Sequence, residues 1–499
     1  MTAGTAETSL TTGAAASADP KRWQALAVLG IAFLMVILDV AIVNVALPSI
    51  QKDLHFSSAS SLQWVVSGYA LTYGGLILLG GRLGDLLGRR RVFMVGLAAF
   101  ATFSLLCGLS TSPTELIVFR LLQGGAGAIL TPSVFSITTV TFQEGSERNK
   151  ALGILGGIAG SGSAIGVLLG GVLTQYAGWK WTFFVNVPIG FVALVLVPLF
   201  VRESRATDLA RRFDVTGAIS ITASLMLLVF ALTRGPTVGW TSAQVIGSFV
   251  GSALLMVSFI VTESRSRSPL VPLGIFKRRT LTGANVIGFL LGVAIFGMFF
   301  LISLYMQEIL GFSAIKAGLG YLTLALAVVI TSGISQAVVT RVGVKPVLAV
   351  GMTLIAAGQA YLTQISVHGS YFTDLFPGFI LVGVGMGCCF VPISIAALSG
   401  ATSREAGLQS GLINTNQQIG GAVGLAILIT VATTRTNNLL HAGVSRAEAA
   451  TSGYSLAFWV GVGFALVGLA ATLLLLRRDD LRATAPEASP VGEPASRPA

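Results

Sequence analysis

The sequence predicts an all-α polytopic membrane protein, and three observations carry that prediction. The 499 residues have a mean hydropathy of +0.83 and are 54% hydrophobic but only 10% charged. A soluble domain typically carries about 25% charged residues, so this chain cannot cover a water-facing surface of its own. Its apolar residues also fall in runs near the roughly 20 positions that a membrane helix needs, whereas the period-2 alternation of a membrane barrel is scarce. The formal charge of +11 and pI near 10.0 would suggest nucleic acid in a soluble protein. Here they fit the Lys and Arg that collect in cytoplasmic loops. Soluble enzymes, nucleic-acid modules and disordered proteins are excluded together.

The elements follow in order. Residues 1–20 are small and polar and read as a disordered cytoplasmic N-terminus. Lys21 and Arg22 then open an apolar run from Trp23 to Leu47, which ends at Pro48. A cleaved leader would have a shorter apolar core and a small-residue cleavage site, so this is a first span. Further runs lie at 62–81, 92–110, 116–138, 151–175, 181–201, 214–233, 244–262, 281–307, 317–340, 346–366, 375–397, 407–432 and 454–476, making fourteen spans. After Arg478 the chain becomes a Pro-rich solvated tail, 479–499.

Charge tests this topology. An even span count places both termini on one side. The opposite side then receives only Lys52, Lys180, Arg234, Lys316, Arg435 and Arg446 of the 31 Lys and Arg residues. Arg120 stays inside a span, and all the others share the side of the termini. Such a bias puts both ends in the cytoplasm.

Four segments carry chemistry. The first span ends LDVAIVNVALP, Leu38 to Pro48, and Asp39 is the one acid deep inside any predicted span. A carboxylate at such depth marks a functional site by default. After the second span comes GRLGDLLGRRR, Gly81 to Arg91; read alone, it is an ordinary positive-inside loop with glycines for a tight turn. The fourth span contains LIVFRLLQGGAGA with Arg120 inside it. A charge there costs about 2.5–3.5 kcal/mol on insertion scales, so Arg120 must pair, face the bundle interior or snorkel to an interface. At 1.5 Å per residue Asp39 lies about 12 Å, and Arg120 about 6–8 Å, below the same outer face, a difference that long side chains cover. The fifth span, Gly153 to Gly171, carries a small-xxx-small ladder that includes Gly162, Gly166 and Gly170 and admits a close helix neighbour.

The loop resembles the signature G-x-L-x-D-x-x-G-R-R/K of the major facilitator superfamily, with Gly81, Asp85, Gly88, Arg89 and Arg90 in the signature positions. Arg120, Gln123, Gly124 and Gly127 resemble its fourth-span motif. Gly162, Gly166, Gly170 and Gly171 resemble the antiporter motif of its exporters, with Val167 at the usual proline position. LDVAIVNVALP resembles the first-span motif of the fourteen-span drug–proton antiporters, with Ala41 replacing Thr. WKWTFFVNVPIG (Trp179–Gly190), FDVTGA (Phe213–Ala218), LYMQEILGFSAIKAGL (Leu304–Leu319) and GLINTNQQIGGAVGLA (Gly411–Ala426) are similar to the same family, with Thr323 where that family usually has Pro.

The resemblance implies a six-helix bundle over 21–202, two inserted helices and their loops over 203–280, and a second six-helix bundle over 281–478. It further implies efflux of a drug-like or amphipathic molecule across a bacterial cytoplasmic membrane by alternating access, driven by proton flow and without a bound cofactor. Asp39 would carry the proton, Arg120 would tune it, and Glu308 is a second titratable candidate. Asp85 and Arg89 would latch the cytoplasmic side, and Asn44, Gln123, Asn414 and Gln418 would line the substrate cavity. The expected assembly is a monomer.

Rival readings keep the fold as a metabolite importer or facilitator, or make the chain a non-transporting membrane sensor. The buried acid and the glycine ladder argue against the first, and the lack of large soluble segments against the second. No Walker-type phosphate loop, H-E-x-x-H or G-x-S-x-G occurs, so neither ATP hydrolysis nor membrane enzymology is expected. Cys107, Cys388 and Cys389 lie in apolar runs as small packing residues, and His55, His368 and His441 fall in outer loops, so no metal site is expected. Arg far outnumbers Lys, and Ala and Gly are abundant, the bias of a GC-rich bacterial genome.

Overall fold

The computed structural model describes residues 20–142, 146–205, 215–266, 269, 271, 273–398 and 406–476. The expected disordered ends fall outside these residues, apart from Pro20. The long helices are α1 (Arg22–Asp53), α2 (Trp64–Leu87), α3 (Arg89–Leu109), α4 (Pro113–Thr141), α5 (Ser146–Tyr176), α6 (Asn186–Phe200), α7 (Val215–Val238) and α8 (Ala243–Arg265). They continue with α9 (Arg279–Leu304), α10 (Ala314–Val342), α11 (Val344–Leu362), α12 (Phe376–Leu398), α13 (Ala406–His441) and α14 (Arg446–Leu475). Among the described residues thirteen helices are long and apolar enough to cross a membrane. The helix of the fifth expected span, α5, runs 31 residues, and its apolar stretch among those residues is Ala164–Tyr176.

Local sequence sets the helix ends. Ser112, Ser242, Ser313 and Ser445 each accept a hydrogen bond from the backbone N–H three residues on, capping α4, α8, α10 and α14. Gly88 and Gly343, at φ 111° and 88°, make one-residue turns from α2 to α3 and from α10 to α11. Only glycine adopts such a φ without strain.

Several helices outrun their apolar runs. α13 extends to His441 and α14 begins at Arg446, because hydropathy sees the membrane-crossing part and not the solvated turns beyond it. α1 does not end at Pro48 but continues to Asp53. Proline removes the hydrogen bond to the carbonyl four residues back, and that carbonyl, Asn44 O, instead accepts from Ser303 Oγ of α9 at 2.7 Å. The sixth run divides into a short helix, Trp181–Phe184, and α6.

α1–α6 pack among themselves, as do α9–α14. The two sets meet along α5 with α10 and along α2 with α13, while α7 and α8 pair with each other and α7 lies against both α2 and α13. One end of the molecule carries Arg22, Arg89, Arg202, Arg279 and Arg341 and is called the basic end; Asp53, Tyr176 and Lys316 mark the far end. At the far end one apolar core joins both sets, from Val43–Ile50 and Trp179 to Phe300, Leu301 and Tyr321. Toward the basic end a separate core, including Leu26, Phe93, Phe142 and Leu155, belongs to α1–α6 alone. The α5–α10 seam shows the same asymmetry. A methyl group on Gly171 would touch Ala314 O at 2.9 Å, whereas one on Gly153 or Gly156 would meet nothing within 4 Å. Near the basic end the two sets instead meet along α2 and α13, where Leu412 packs with Leu76 and Leu78.

Candidate functional site

The glycine ladder fixes where Asp39 sits. Methyl groups on Gly162, Gly166 and Gly170 would touch Leu34, Ala41 and the Ile42 backbone at 2.9, 2.7 and 2.9 Å. α5 therefore lies directly on the Leu34–Ile42 face of α1, the close approach that small residues permit. Asp39 lies between these contact positions in sequence but on the opposite side of its helix, which turns it toward α4 and α6. Gly171 and, on α10, Gly318 serve the seam between the sets, where Gly318 abuts Val167 O.

Asp39 is fully buried and Arg120 is 2% exposed. Arg120 Nη1 donates to Asp39 Oδ2 at 2.6 Å and to Gln123 Oε1 at 2.8 Å, and its Nε donates to Val65 O at 3.0 Å. Gln123 Nε2 and Asn186 Nδ2 donate to Asp39 Oδ1 at 2.8 and 3.0 Å. The carboxylate thus accepts three bonds, one from a cation, in a site without water access. Such a pair survives burial only when geometry and supporting hydrogen bonds offset the desolvation cost. The guanidinium also lies 4.2 Å from the Tyr69 ring centroid and 5.7 Å from that of Phe183, contacts that stabilise a desolvated cation.

The network goes beyond the residues that the sequence reading selected. Asn186 Nδ2 also donates to Ser104 Oγ at 3.0 Å, and Ser104 Oγ donates to Phe183 O at 2.9 Å. Cys107 Sγ lies 3.7 Å from Gln123 Oε1, so this cysteine is more than packing. The available signal for Asn186 was a lone amide in the apolar run 181–201. Gln123, expected to line the substrate cavity, is instead sealed in this network at 0% exposure, because its amide is needed between Arg120 and Asp39.

The remaining expected site residues lie elsewhere. Asn44 Nδ2 donates to Val40 O of its own helix. Asn414 is exposed on α13 and Gln418 is half-buried beside Gly74 of α2. Glu308 sits at the far end in a π-helical turn, Tyr305–Ile309, exposed and within electrostatic reach of Arg446, and is not part of the Asp39 network. The segment expected as a loop, Gly81–Arg91, is instead the last turns of α2, the single-residue turn at Gly88 and the start of α3, and the Asp85 side chain lies outside the described residues. Gly81 lies within 3.4 Å of Pro132 on α4, measured from the position its methyl group would take. Arg89 N donates to Ser204 O, while Arg90 N and Arg91 N donate to Glu203. Glu203 thereby caps the start of α3 and pairs with the Arg90 and Arg91 side chains at 4.0 and 3.7 Å, a role for Glu203 that the sequence reading missed. Among the described residues no three His, Cys, Asp or Glu side chains gather into a metal ligand set.

At the far end the two sets are stitched through α1. Besides the bond to Asn44 O, Gln307 Nε2 donates to Val45 O at 2.9 Å. Both acceptors are backbone carbonyls in the turn before Pro48.

Comparison with known proteins gives a consistent picture. The family model described as Major Facilitator Superfamily matches residues 29–425. The puromycin resistance protein of Streptomyces alboniger is 36% identical over 460 residues, 92% of this chain and 91% of that protein. A cephamycin export protein of Amycolatopsis lactamdurans is 37% identical over 446 residues, covering 89% and 90%. Among solved structures, a bacterial homologue of the human lysosomal transporter Spinster, inward-facing and unoccupied, superposes with a TM-score of 0.67 at 15% identity, covering 93% of this chain and 98% of that one. With its helical architecture and a family match across most of its length, this chain belongs to the major facilitator superfamily.

Proposed function

We propose that this protein exports drug-like small molecules across a bacterial cytoplasmic membrane, driven by inward proton flow, with Asp39 as the proton carrier. The observation that carries the proposal is the fully buried Asp39 carboxylate, bonded to Arg120, Gln123 and Asn186 within a membrane-crossing helix bundle. Export is supported by relatives named as resistance and export proteins, among them the multidrug transporter of Bacillus subtilis, 34% identical over 408 residues. Proton coupling rests on the chemistry of the site. If Asp39 takes a proton, the Arg120 guanidinium loses its counter-charge but keeps Val65 O, Gln123 Oε1 and the Tyr69 ring, contacts that offset part of that cost.

In this reading the basic end faces the cytoplasm, α5 is the fourteenth crossing helix, and α1–α6 and α9–α14 are the two halves that rock about a central site. Asn44, Asn414 and Gln418 contribute polar contacts to the substrate path, Glu308 is a second carboxylate for coupling, the α2–α3 turn over Gly81–Arg91 gates the cytoplasmic side, and the protein works as a monomer without a cofactor. The test is accumulation of a panel of antibiotics and amphipathic dyes in a pump-deficient bacterium. Expression should lower the retention of some compounds, and a protonophore should restore it. Unchanged accumulation across the panel would contradict export.

A further inference from the structure

We infer that Asn186 is the positioning residue through which Asp39 changes protonation state, its side-chain amide donating to the carboxylate and, after a half-turn, accepting from the carboxylic acid. The inference rests on the reading of Asp39 as proton carrier.

Around the Asp39 carboxylate, Arg120 Nη1, Gln123 Nε2 and Asn186 Nδ2 all point N–H groups at the two oxygens. That arrangement serves an anion. Once a proton binds either oxygen, the new O–H needs an acceptor, and a buried donor without one is costly. Arginine offers none. Gln123 Oε1 already accepts from Arg120 and stands next to the Cys107 thiol. Asn186 Oδ1 is different: it is buried and has no hydrogen-bond partner, while its own Nδ2 serves both Asp39 and Ser104.

The two ends of an asparagine amide are nearly isosteric and differ only in hydrogen-bond polarity. A half-turn about the terminal torsion brings Oδ1 to the place of Nδ2, within reach of the Asp39 O–H. The Ser104 hydroxyl, which now donates to Phe183 O, can turn to donate to the same Oδ1. One amide end lacks a partner in either orientation, so neither is favoured by that position, and the proton on Asp39 selects between them. The step moves one proton onto Asp39, rotates one amide and swings the Ser104 hydroxyl from Phe183 O to Asn186 Oδ1, so that the Ser104–Phe183 bond is given up and the Asn186–Ser104 bond reverses direction. Because Asn186 opens α6 and Ser104 belongs to α3, the turn reports the state of α1 to two other helices.

The titratable groups in electrostatic reach of Asp39 are Arg120 of α4, Tyr69 of α2 and Cys107 of α3. α6 has no titratable residue, and α9 has only Arg279 before its final turn. On α5 the acids and bases are Glu147, Arg148, Lys150 and Tyr176, near its ends. On α10 they are Lys316 and Arg341 near the ends and Tyr321, which donates to Phe299 O. Tyr69 Oη is also buried without a hydrogen-bond partner, but of the three groups already bonded to Asp39 only Asn186 carries an acceptor that has none.

The test is infrared difference spectroscopy between high and low pH on the full-length protein in lipid, read at the carboxylic-acid C=O stretch, which lies clear of the backbone amide bands. The wild type should show an acid band that Asp39→Asn lacks. In Asn186→Val the band should move to higher wavenumber, because the acid O–H has lost its acceptor. In Asn186→Thr, the same size but with a hydroxyl that both donates and accepts, it should stay near the wild-type position. Wild-type protein with carbon-13 in its asparagine amides reads the same event without a variant, since one amide C=O should change in step with the acid band. An acid band at the same position in wild type and Asn186→Val, or an unchanged labelled amide, would overturn the role of Asn186 and leave Asp39 as carrier. Absence of any Asp39-dependent band would overturn the carrier reading itself.

Discussion

Asp39 and Arg120 depend on each other for burial. Removing one partner of a buried pair leaves an uncompensated charge, at a cost of about 3–5 kcal/mol, whereas neutralising both leaves polar groups that still hydrogen-bond. Arg120→Gln should therefore unfold at a markedly lower temperature than wild type, and adding Asp39→Asn should restore much of the loss. A double-mutant cycle by thermal unfolding in detergent checks this; purely additive effects would mean the two side chains are not coupled in the folded protein. Both residues were legible in the sequence because a charge in an apolar run demands a partner. Asn186, Ser104 and Glu203 were not. Neutral polar residues in spans have many innocuous roles, and which of them reaches Asp39 depends on the depth at which α3 and α6 meet α1, which no single run encodes. The same geometry moved Gln123 from the expected cavity into the buried network.

The helices of the site are set by two sequence devices, the glycine ladder of α5 and the proline of α1. A larger side chain at Gly166 would collide with Ala41 and Leu38, and overpacking of this kind costs about 1–3 kcal/mol. Gly166→Leu should displace α1 at Asp39 and abolish export, while Gly463→Leu on α14, where a methyl group meets nothing within 4 Å, should export normally. Drug accumulation at matched membrane expression decides between them. The ladder was readable as a close-packing face, but that it holds the helix bearing Asp39 came only from the fold. Pro48 was read as the end of a span. It instead lies within a helix that continues, and Ser303 of α9 and Gln307 of the π-helical turn after it donate to Asn44 O and Val45 O. Interhelical hydrogen bonds of this kind average about 0.6 kcal/mol, so Ser303→Ala with Gln307→Ala should shift the balance toward a far-open state several-fold. Spin labels on cysteines at Tyr176 and Ser370 should then report a larger share of long distances; an unchanged distribution would show that these bonds do not hold the far end shut.

At the scale of the whole molecule, one apolar core joins both sets at the far end, and the proposed function places the basic end in the cytoplasm. Sidedness has its own check. In intact cells a cysteine at Ser370 should react with an impermeant thiol reagent, and one at Thr340, near the basic end of α10, should be protected; the reverse pattern would invert the topology. Composition was enough to read the helical membrane architecture, since each run must satisfy its backbone internally. Which seam closes was not readable, because it is a property of two halves that carry no charge signal where they meet. The central claim joins sidedness to the buried acid: an outward-directed movement of drug is exchanged for a proton bound at Asp39. Its most direct test is uptake of a transported dye into proteoliposomes under an imposed pH gradient without ATP, comparing wild type with Asp39→Asn at equal incorporation. Gradient-dependent transport is expected in the wild type, collapsing with a protonophore and absent in Asp39→Asn. Equal gradient-driven transport by the two proteins would contradict it.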